Sequence, residues 1–300
     1  MALEVPVLYR RSRLLADGLT QLELQRMLER GNLTPVRRGA YIAARIPDRA
    51  TMHRLQVMAA MHDLAGGTVP SHVSAAVLHG LPTWGMPTDR LTVTKARRSG
   101  GRVSRRLHSY TASLAPEEIV SVDGVPVTTV ARTIVDLART VSFESSVVAA
   151  DAALARCLVT DEELAAALIR ATGWPGVPRA RRVIAFADGR AESVGESRSR
   201  VAIFRAGLPT PVPQWEVRDV DGRLVGRVDF GWPELHLVGE FDGRVKYGRL
   251  LRPGQTSADA VFEEKIREDA VRAEQLTVVR WTWDEIPTFT AKLRRALEAR

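Results

Sequence analysis

The chain has 300 residues, of which 45% are hydrophobic and 26% charged, and these ordinary globular proportions exclude a disordered or collagen-like protein. No run of about 18 apolar residues occurs, so the sequence predicts no membrane span. The N-terminus lacks the pattern of a signal peptide, and Cys157 is the single cysteine. Both features predict a cytoplasmic protein.

The net charge of +8 is unevenly distributed along the chain. Residues 1–112 contain 17 Lys and Arg against 7 Asp and Glu, whereas the remainder has a slight excess of acids. A strongly basic segment indicates a polyanionic partner, usually a nucleic acid, and we expect double-stranded DNA. The alternative is a generally arginine-rich proteome, since arginine greatly outnumbers lysine here.

Residues 9–45 predict a small DNA-binding unit. A helix over 9–17 is followed by a second helix, whose start carries a capping box formed by Thr20 and Glu23. Gly31 supplies the left-handed end of that second helix. A basic hairpin around Gly39 follows, and the order helix, turn, helix, hairpin is typical of a winged helix-turn-helix.

This unit offers two groups of DNA-binding residues. The second helix would enter the major groove, while the hairpin would touch phosphate. The predicted contacts on the helix and then on the hairpin are Gln25, Arg26, Arg30, Arg37 and Arg38. The alternative interpretation is a helical hairpin with a solvated polar face.

Residues 51–173 predict a mixed α/β region. Ser71 is expected to cap a helix that stops at Gly80, with His72 and His79 seven residues apart on it. Metal-binding pairs on a helix usually have a spacing of four, so we predict structural histidines. Residues 90–110 predict strands with a basic loop, which either follows a phosphate backbone or is simply exposed. Thr129 and the pair Arg132–Asp136 mark a later helix.

The turn-rich stretch at 174–178 separates this region from a C-terminal part with the predicted order α-β-β-β-α-β-α. The predicted elements are a helix at 191–206, strands at 212–217, 223–230 and 235–241, a helix at 257–275, a strand at 277–281 and a helix at 286–300.

Acidic residues occur at the ends of two of these strands. Asp229 ends the second strand, and Glu240 and Asp242 lie two apart on the third, so both point to one face. Carboxylates there are costly unless a cation such as Mg²⁺ or Mn²⁺ compensates them. Glu196, on the preceding helix, could join the metal shell, and Lys246 could stabilise negative charge on a phosphodiester. The alternative is a solvated strand end.

Residues 191–286 resemble the PD-(D/E)xK nuclease superfamily, in particular the branch related to very short patch repair (Vsr-like) endonucleases. The matching segments are GESRSR (195–200), GRVDF (226–230), GEFDGRVKY (239–247) and EEKIREDAVR (263–272). The resemblance implies Asp229 and Glu240 as metal ligands, with Asp242 beside them. Asp242 stands where the superfamily usually has its lysine, and either Lys246 or Lys265 would replace that lysine.

The first half of the chain resembles the AbiEi-type antitoxins of type IV toxin–antitoxin systems. GLTQLELQRMLERGNLTPVRRGAYI (18–42), SHVSAAVLHGLP (71–82) and TTVARTIVDLA (128–138) carry this resemblance. It implies a winged-helix domain followed by an α/β domain, binding to operator DNA, and repression of the protein's own promoter. A nucleotidyltransferase toxin is then a candidate partner.

Together these patterns predict a multidomain α/β (α+β) protein. The expected domains are a winged helix-turn-helix at 1–48, an AbiEi-like α/β region at 49–175 and an αβββαβα domain with the restriction-endonuclease-like PD-(D/E)xK fold at 176–300. Two functions remain open at this point. The favoured one is a DNA-binding, Mg²⁺-dependent endodeoxyribonuclease, and the alternative is an antitoxin-like repressor whose nuclease fold is inactive.

Overall fold

The computed structural model describes residues 6–43, 48–64, 66–96, 100–243 and 276–299. The predicted α/β class is confirmed, because helices alternate with several small sheets. Contacts divide the chain into two compact units, which we call unit 1 (1–149 with 159–184) and unit 2 (150–158 with 185–300). The three predicted domain bounds stay a prediction. Among the described helices, none is both long and apolar enough to cross a membrane.

Unit 1 begins with a three-stranded sheet and three helices. The elements are β1 (Leu8–Arg10), α1 (Arg11–Ala16), α2 (Gln21–Glu29), β2 (Thr34–Arg37), β3 (Ala40–Ile42) and α3 (Arg49–Met61). Strand β3 lies between β1 and β2 and is antiparallel to both. The helix predicted from residue 9 starts two residues later, because Tyr9 and Arg10 pair with β3 instead.

Local sequence signals set the ends of α2 and of the hairpin. The Thr20 amide donates to Glu23 Oε2 at 2.8 Å, and the Glu23 amide donates to Thr20 Oγ1 at 3.2 Å, which confirms the capping box. Gly31 and Gly39 have φ of 72° and 75°, a backbone region that glycine adopts without a steric penalty. The predicted helix end and β-hairpin are therefore confirmed.

Helix α3 supplies the apolar cover of this sheet. Leu55 and Ala59 on α3 pack with Val36, Ala40 and Ile42 of the hairpin in one buried cluster. Asp48 begins the helix by accepting a hydrogen bond from the Thr51 amide at 2.8 Å. The core under the hairpin thus depends on a helix that follows it in the chain.

The chain from 68 to 186 adds a four-stranded sheet, a hairpin and several helices, which belong to unit 1 except for residues 150–158 and 185–186. The elements are β4 (Thr68–Pro70), α4 (His72–Leu78), β5 (Leu91–Lys95), β6 (Arg102–Val103), β7 (Leu107–Thr111), β8 (Ile119–Val122), β9 (Val125–Thr128), α5 (Val130–Thr140), α6 (Phe143–Ala155), α7 (Asp161–Arg170) and α8 (Val177–Phe186). The sheet order is β4-β5-β7-β6, with β5 and β7 parallel, and β8 pairs with β9. The basic loop residues 97–99 lie outside the described part of the chain.

Helix α5 carries the predicted ion pair in a buried setting. Arg132 Nε donates to Asp136 Oδ2 at 2.9 Å, and Arg132 Nη1 donates to Glu118 Oε1 at 3.0 Å. The side chains of Arg132 and Asp136 are each only 1% exposed. Trp174 covers the Arg132 guanidinium at 4.4 Å from its ring centroid. This network therefore lies in the core, where each charge needs its partner.

Unit 2 contains a four-stranded mixed sheet with helices before and after it in sequence. Its elements are α9 (Val194–Arg205), β10 (Val212–Arg218), β11 (Leu224–Trp232), β12 (Leu237–Asp242), β13 (Thr277–Thr282) and α10 (Phe289–Glu298). The sheet order is β10-β11-β12-β13, in which only the last pair is parallel. The predicted order of these elements is confirmed, while the helix expected at 257–275 lies outside the described residues.

Aromatic side chains form the core of unit 2. Phe230, Phe241 and Trp281 project from three strands into one cluster, where Phe289 of α10 stacks on Trp281 with ring centroids 4.2 Å apart. Helix α9 approaches this layer through Gly195, since a Cβ atom there would overlap the Phe241 ring. The face of the sheet that carries Phe241 is thus filled by apolar packing, and alternate residues point to the opposite face.

Candidate metal centre and nucleic-acid interface

Asp229 and Glu240 lie on adjacent strands, at the place where the β11–β12 ladder ends. The antiparallel register ends with Phe230 paired to Gly239, and Asp229 and Glu240 are the next residues on the two strands. Glu240 points away from the face that carries Phe241, because successive side chains of a strand alternate between the two faces. The two carboxylates predicted as metal ligands are therefore neighbours at the end of this ladder.

Each of these carboxylates has a defined partner. Asp229 Oδ2 accepts a hydrogen bond from the Phe241 amide at 2.8 Å, which fixes the carboxylate at the end of the β11–β12 ladder. Glu240 Oε2 accepts from Arg280 Nε at 2.7 Å, and the Glu240 side chain is 17% exposed. Both groups are thus positioned by the sheet rather than held on free loops.

Arg280 is a site residue that the sequence analysis missed. It lies on β13, and the parallel register pairs it directly with Glu240. A charged residue inside the otherwise apolar segment TVVRWT is the signal that could have identified it. Its guanidinium places a fixed positive charge beside the Glu240 carboxylate.

The remaining predicted ligands are less closely gathered. Asp242 ends β12 two residues after Glu240, so it shares that face, and it is exposed. Lys246 and its alternative Lys265 lie outside the described residues. Within the described ranges no three His, Cys, Asp or Glu side chains form a group that could hold a metal ion. The structure therefore brings together a pair of predicted ligands rather than the whole set.

Glu196 has a structural setting at the start of α9. Its Oε1 accepts from Ser193 Oγ at 2.6 Å, while Oε2 accepts from the Glu192 amide at 2.9 Å and from Gln214 Nε2 at 2.8 Å. The residue is 4% exposed. These bonds stabilise the helix N-terminus and tie it to β10, where Gln214 has a positive φ of 53°. A metal-binding role for Glu196 stays a prediction.

The proposed recognition helix presents a polar face to solvent. Gln25 and Arg26 are exposed on α2 and Arg30 is exposed at its C-cap, while Leu24 is buried on the opposite side of the helix. Gln25 Nε2 donates to Glu29 Oε1 at 2.9 Å along the same helix. Exposed amide and guanidinium groups are the side chains that read base edges in the major groove.

The hairpin between β2 and β3 carries the other predicted contacts. Arg38 is exposed at the turn, next to Gly39. Arg37 is half-buried, and its guanidinium lies 3.9 Å from the Asp63 carboxylate. Asp63 also accepts a hydrogen bond from Arg10 at 3.4 Å. Within the described ranges Arg37 thus has an ion-pair partner, and Arg38 has none.

Comparison with known proteins relates the chain to mycobacterial sequences. No protein-family model matches it. Two uncharacterized proteins of Mycobacterium tuberculosis, from strains CDC 1551 / Oshkosh and H37Rv, are each 29% identical over 271 residues. The alignments cover 83% of this chain and 93% of each relative. The crystal structure of the RV2827C protein from the same species is similar with a TM-score of 0.40, at 15% identity, over 72% of this chain and 85% of that one.

Proposed function

We propose that the protein binds double-stranded DNA through its N-terminal helices and hairpin, and that its C-terminal part is a metal-dependent endonuclease domain of the PD-(D/E)xK type. The observation that carries this proposal is that Asp229 and Glu240 are neighbours at the end of the β11–β12 ladder, where the Asp229 carboxylate bonds the amide of Phe241, the residue after Glu240. The order of the described elements here is α9, β10, β11 and β12, followed after the undescribed segment by β13 and α10. This order agrees with the same fold. Carboxylates contribute nothing to apolar packing, so their presence at this position needs another explanation.

The donor chemistry of this face suits Mg²⁺ or Mn²⁺. Hard divalent cations take oxygen ligands, and Mg²⁺ is commonly held by one or two carboxylates together with water and substrate phosphate. Asp229 and Glu240 would hold the ion, and Asp242, which ends β12, would be the third candidate carboxylate. When bound, such an ion polarises a phosphodiester and lowers the pKa of a coordinated water.

The chain's own residues provide positioning and charge. The Phe241 amide orients the Asp229 carboxylate, and Arg280 orients Glu240 through its 2.7 Å bond. A phosphate drawn to this face would meet the Arg280 guanidinium, which stabilises the negative charge that grows on the phosphoryl oxygens during hydrolysis. Arg280 thus takes the electrostatic role for which the sequence analysis considered Lys246 or Lys265.

The experiment that tests the proposal is a nicking assay on supercoiled plasmid with Mg²⁺ or Mn²⁺, extended to mismatched and single-stranded DNA. The wild-type protein should cut at least one of these substrates. Glu240→Ala should abolish cutting and leave DNA affinity nearly unchanged, because affinity is assigned to the exposed residues of α2 and the hairpin. Arg280→Gln should slow cutting without abolishing it.

The control for this assay is Glu216→Ala, which removes an exposed carboxylate that pairs with Arg218 elsewhere on the same sheet. It should cut DNA as the wild type does. Inactivity of the wild-type protein on every substrate and metal, with DNA binding intact, would contradict the nuclease proposal. Cutting that survives Glu240→Ala would place the activity elsewhere.

DNA binding itself is tested by the salt dependence of the dissociation constant. Each lost phosphate contact should reduce the log–log salt slope by about one. Arg37→Ala combined with Arg38→Ala should weaken binding to all sequences, whereas Arg26→Ala should act more strongly on preferred sites. Fluorescence anisotropy with labelled duplexes measures both effects. Unchanged binding by the double variant would refute the placement of the hairpin on phosphate.

A second candidate function is an AbiEi-like transcriptional repressor with an inactive nuclease fold. The observation that favours it is the ion pair between Glu240 and Arg280, since a carboxylate already neutralised by a guanidinium has less need of a cation. A repressor should bind a sequence from its own promoter and show no cutting in the nicking assay. A nucleotidyltransferase toxin would then be its partner.

A further inference from the structure

Unit 1 contains a cavity that neither proposed function uses. Its volume is about 500 Å³, within the range of small-molecule sites. The polar and aromatic residues that line it are His72, Asp89, Arg90, Thr92, His108, Tyr110 and Thr140. They belong to α4, the strands β5 and β7, the connection before β5, and the end of α5.

His72 at the base of this cavity has an unpartnered ring nitrogen. It is 2% exposed, and its Nε2 atom has no hydrogen-bond partner among the described residues. His79, on the same helix, contrasts with it, because its Nε2 lies 2.7 Å from the Thr128 carbonyl. The prediction of structural histidines agrees with His79 and stays a prediction for His72, where one ring nitrogen has no partner among the described residues. An orphaned polar atom in a buried position calls for a ligand or a function.

The neighbours of His72 define what this nitrogen can do. Thr94 Oγ1 donates to Ser71 Oγ at 2.8 Å, and Ser71 Oγ lies 2.9 Å from His72 Nδ1. The buried Ser71 hydroxyl has one proton, which needs an acceptor, and since Thr94 donates to Ser71, His72 Nδ1 is the acceptor in reach. Burial lowers the pKa of His72 to about 4, so the ring is neutral near pH 7. With Ser71 as donor to Nδ1, the single proton of the neutral ring is assigned to Nε2.

This arrangement also explains a difference from the sequence prediction. Ser71 occupies the N-cap position of α4, yet its side chain makes no capping bond, because its hydroxyl is turned to His72. His72 itself has a φ of 50°, an unfavourable backbone conformation for a residue with a side chain. The chain therefore keeps backbone strain at a residue that lines the cavity.

Three aromatic rings form one wall of the cavity. Tyr110 lies between His72 and His108, with ring centroids 3.7 Å and 3.9 Å apart and interplanar angles of 11° and 23°. His72 is the inner ring of this stack, and His108 is the outer, half-exposed ring. A planar ligand can extend such a stack from its outer end.

We propose that this cavity binds a nucleoside monophosphate group. The His72 Nε2–H would donate to a phosphate oxygen, with Arg90 supplying the positive charge. The base would extend the stack at His108, and Asp89 would accept hydrogen bonds from ribose hydroxyls. Asp89 lies next to Arg90, with 3.4 Å between Oδ2 and Nε, so one anion and one cation face the ligand together.

The match rests on the number of different groups that one ligand would satisfy. A bare phosphate leaves the aromatic wall unused, and an uncharged aromatic compound leaves the Nε2–H donor and Arg90 unused. A nucleotide offers an acceptor oxygen, a negative charge, hydroxyl donors and a planar ring in one molecule. The bound group would be either a free nucleotide or the phosphorylated end of a nucleic-acid strand, because both offer this chemistry.

The test is isothermal titration calorimetry of the full chain with AMP, adenosine, inorganic phosphate and a short 5′-phosphorylated oligodeoxyadenylate. We expect binding of AMP, or of the oligonucleotide when the source is a strand end, with adenosine and phosphate weaker. His72→Phe keeps the ring stack and removes the Nε2–H donor, so affinity should fall about tenfold. Arg90→Gln changes an exposed side chain and should lower the affinity by a similar factor. It tests the proposal if the His72→Phe variant does not fold.

His62→Phe is the matched control, since His62 is exposed and lies outside the cavity. It should bind AMP as the wild type does. The proposal is overturned if neither AMP nor the oligonucleotide binds, if adenosine binds as tightly as AMP, or if affinity survives both His72→Phe and Arg90→Gln.

Discussion

Acidification from pH 7 to pH 5 should destabilise unit 1 through the buried His72. Desolvation lowers the pKa of this ring from its ordinary value of 6.5 to about 4, and the nearby cations Arg139 and Arg132 act in the same direction, as does His108. Asp136 opposes them and is outweighed. Between these two pKa values the unfolded chain binds a proton that the folded chain excludes.

The size of the effect follows from the shift. A difference of about 2.5 pKa units corresponds to about 3 kcal/mol of unfolding free energy, since one unit is worth about 1.36 kcal/mol. This stability is fully present above pH 6.5 and is lost as the pH falls towards 4. At pH 5 the contribution of His72 alone should already be smaller by about 2 kcal/mol.

Urea unfolding at pH 7 and pH 5 measures this change, for the wild type and for His72→Phe. Because other groups also titrate in this range, the quantity that matters is the difference between the two proteins. The wild type should lose about 2 kcal/mol more than the variant between the two pH values. NMR titration of the imidazole signals reads the pKa of His72 directly. An equal pH dependence in both proteins, or a ring that titrates near 6.5, would refute the reasoning.

Further predictions concern packing and charge in unit 2. Gly195→Ala should lower the free energy of unfolding by about 3 kcal/mol or more, because the new Cβ overlaps the Phe241 ring. Gly66→Ala, in unit 1 and with open space around it, is the control and should be nearly neutral in the same urea titration. Arg200→Met should cost about 3–5 kcal/mol, because Asp151 is fully buried and loses its 2.7 Å partner. A loss below about 1 kcal/mol would contradict the importance of this pair.

Local signals allowed much of the fold to be predicted. The capping box at Thr20, the glycine at the end of α2 and the alternation of the β11–β12 segment each specify a short stretch through its own residues. Strand β1 could not be predicted in this way, because Leu8–Arg10 is extended only through its pairing with β3. Its side chains alone fit a helix equally well.

The candidate sites also contain some residues that local sequence signals identify and others that only the three-dimensional packing brings into place. Asp229 and Glu240 stand out in the sequence because carboxylates interrupt apolar strands. Their partner Arg280 is 40 residues further along the chain, and only the parallel register of β12 and β13 brings it to Glu240. The unpartnered nitrogen of His72 is likewise a property of three-dimensional packing, since no sequence signal showed that His79 Nε2 would have a partner and His72 Nε2 would not.

The central claim is that Asp229 and Glu240 form a divalent metal site, and Mn²⁺ titration followed by NMR tests it most directly. Paramagnetic broadening should appear first at the amides of Phe230, Gly239 and Phe241, which flank the two carboxylates. Asp229→Asn and Glu240→Gln should each remove it, and Mg²⁺ should compete for the site. Broadening that begins elsewhere in the protein, or that persists in both variants, would contradict the account.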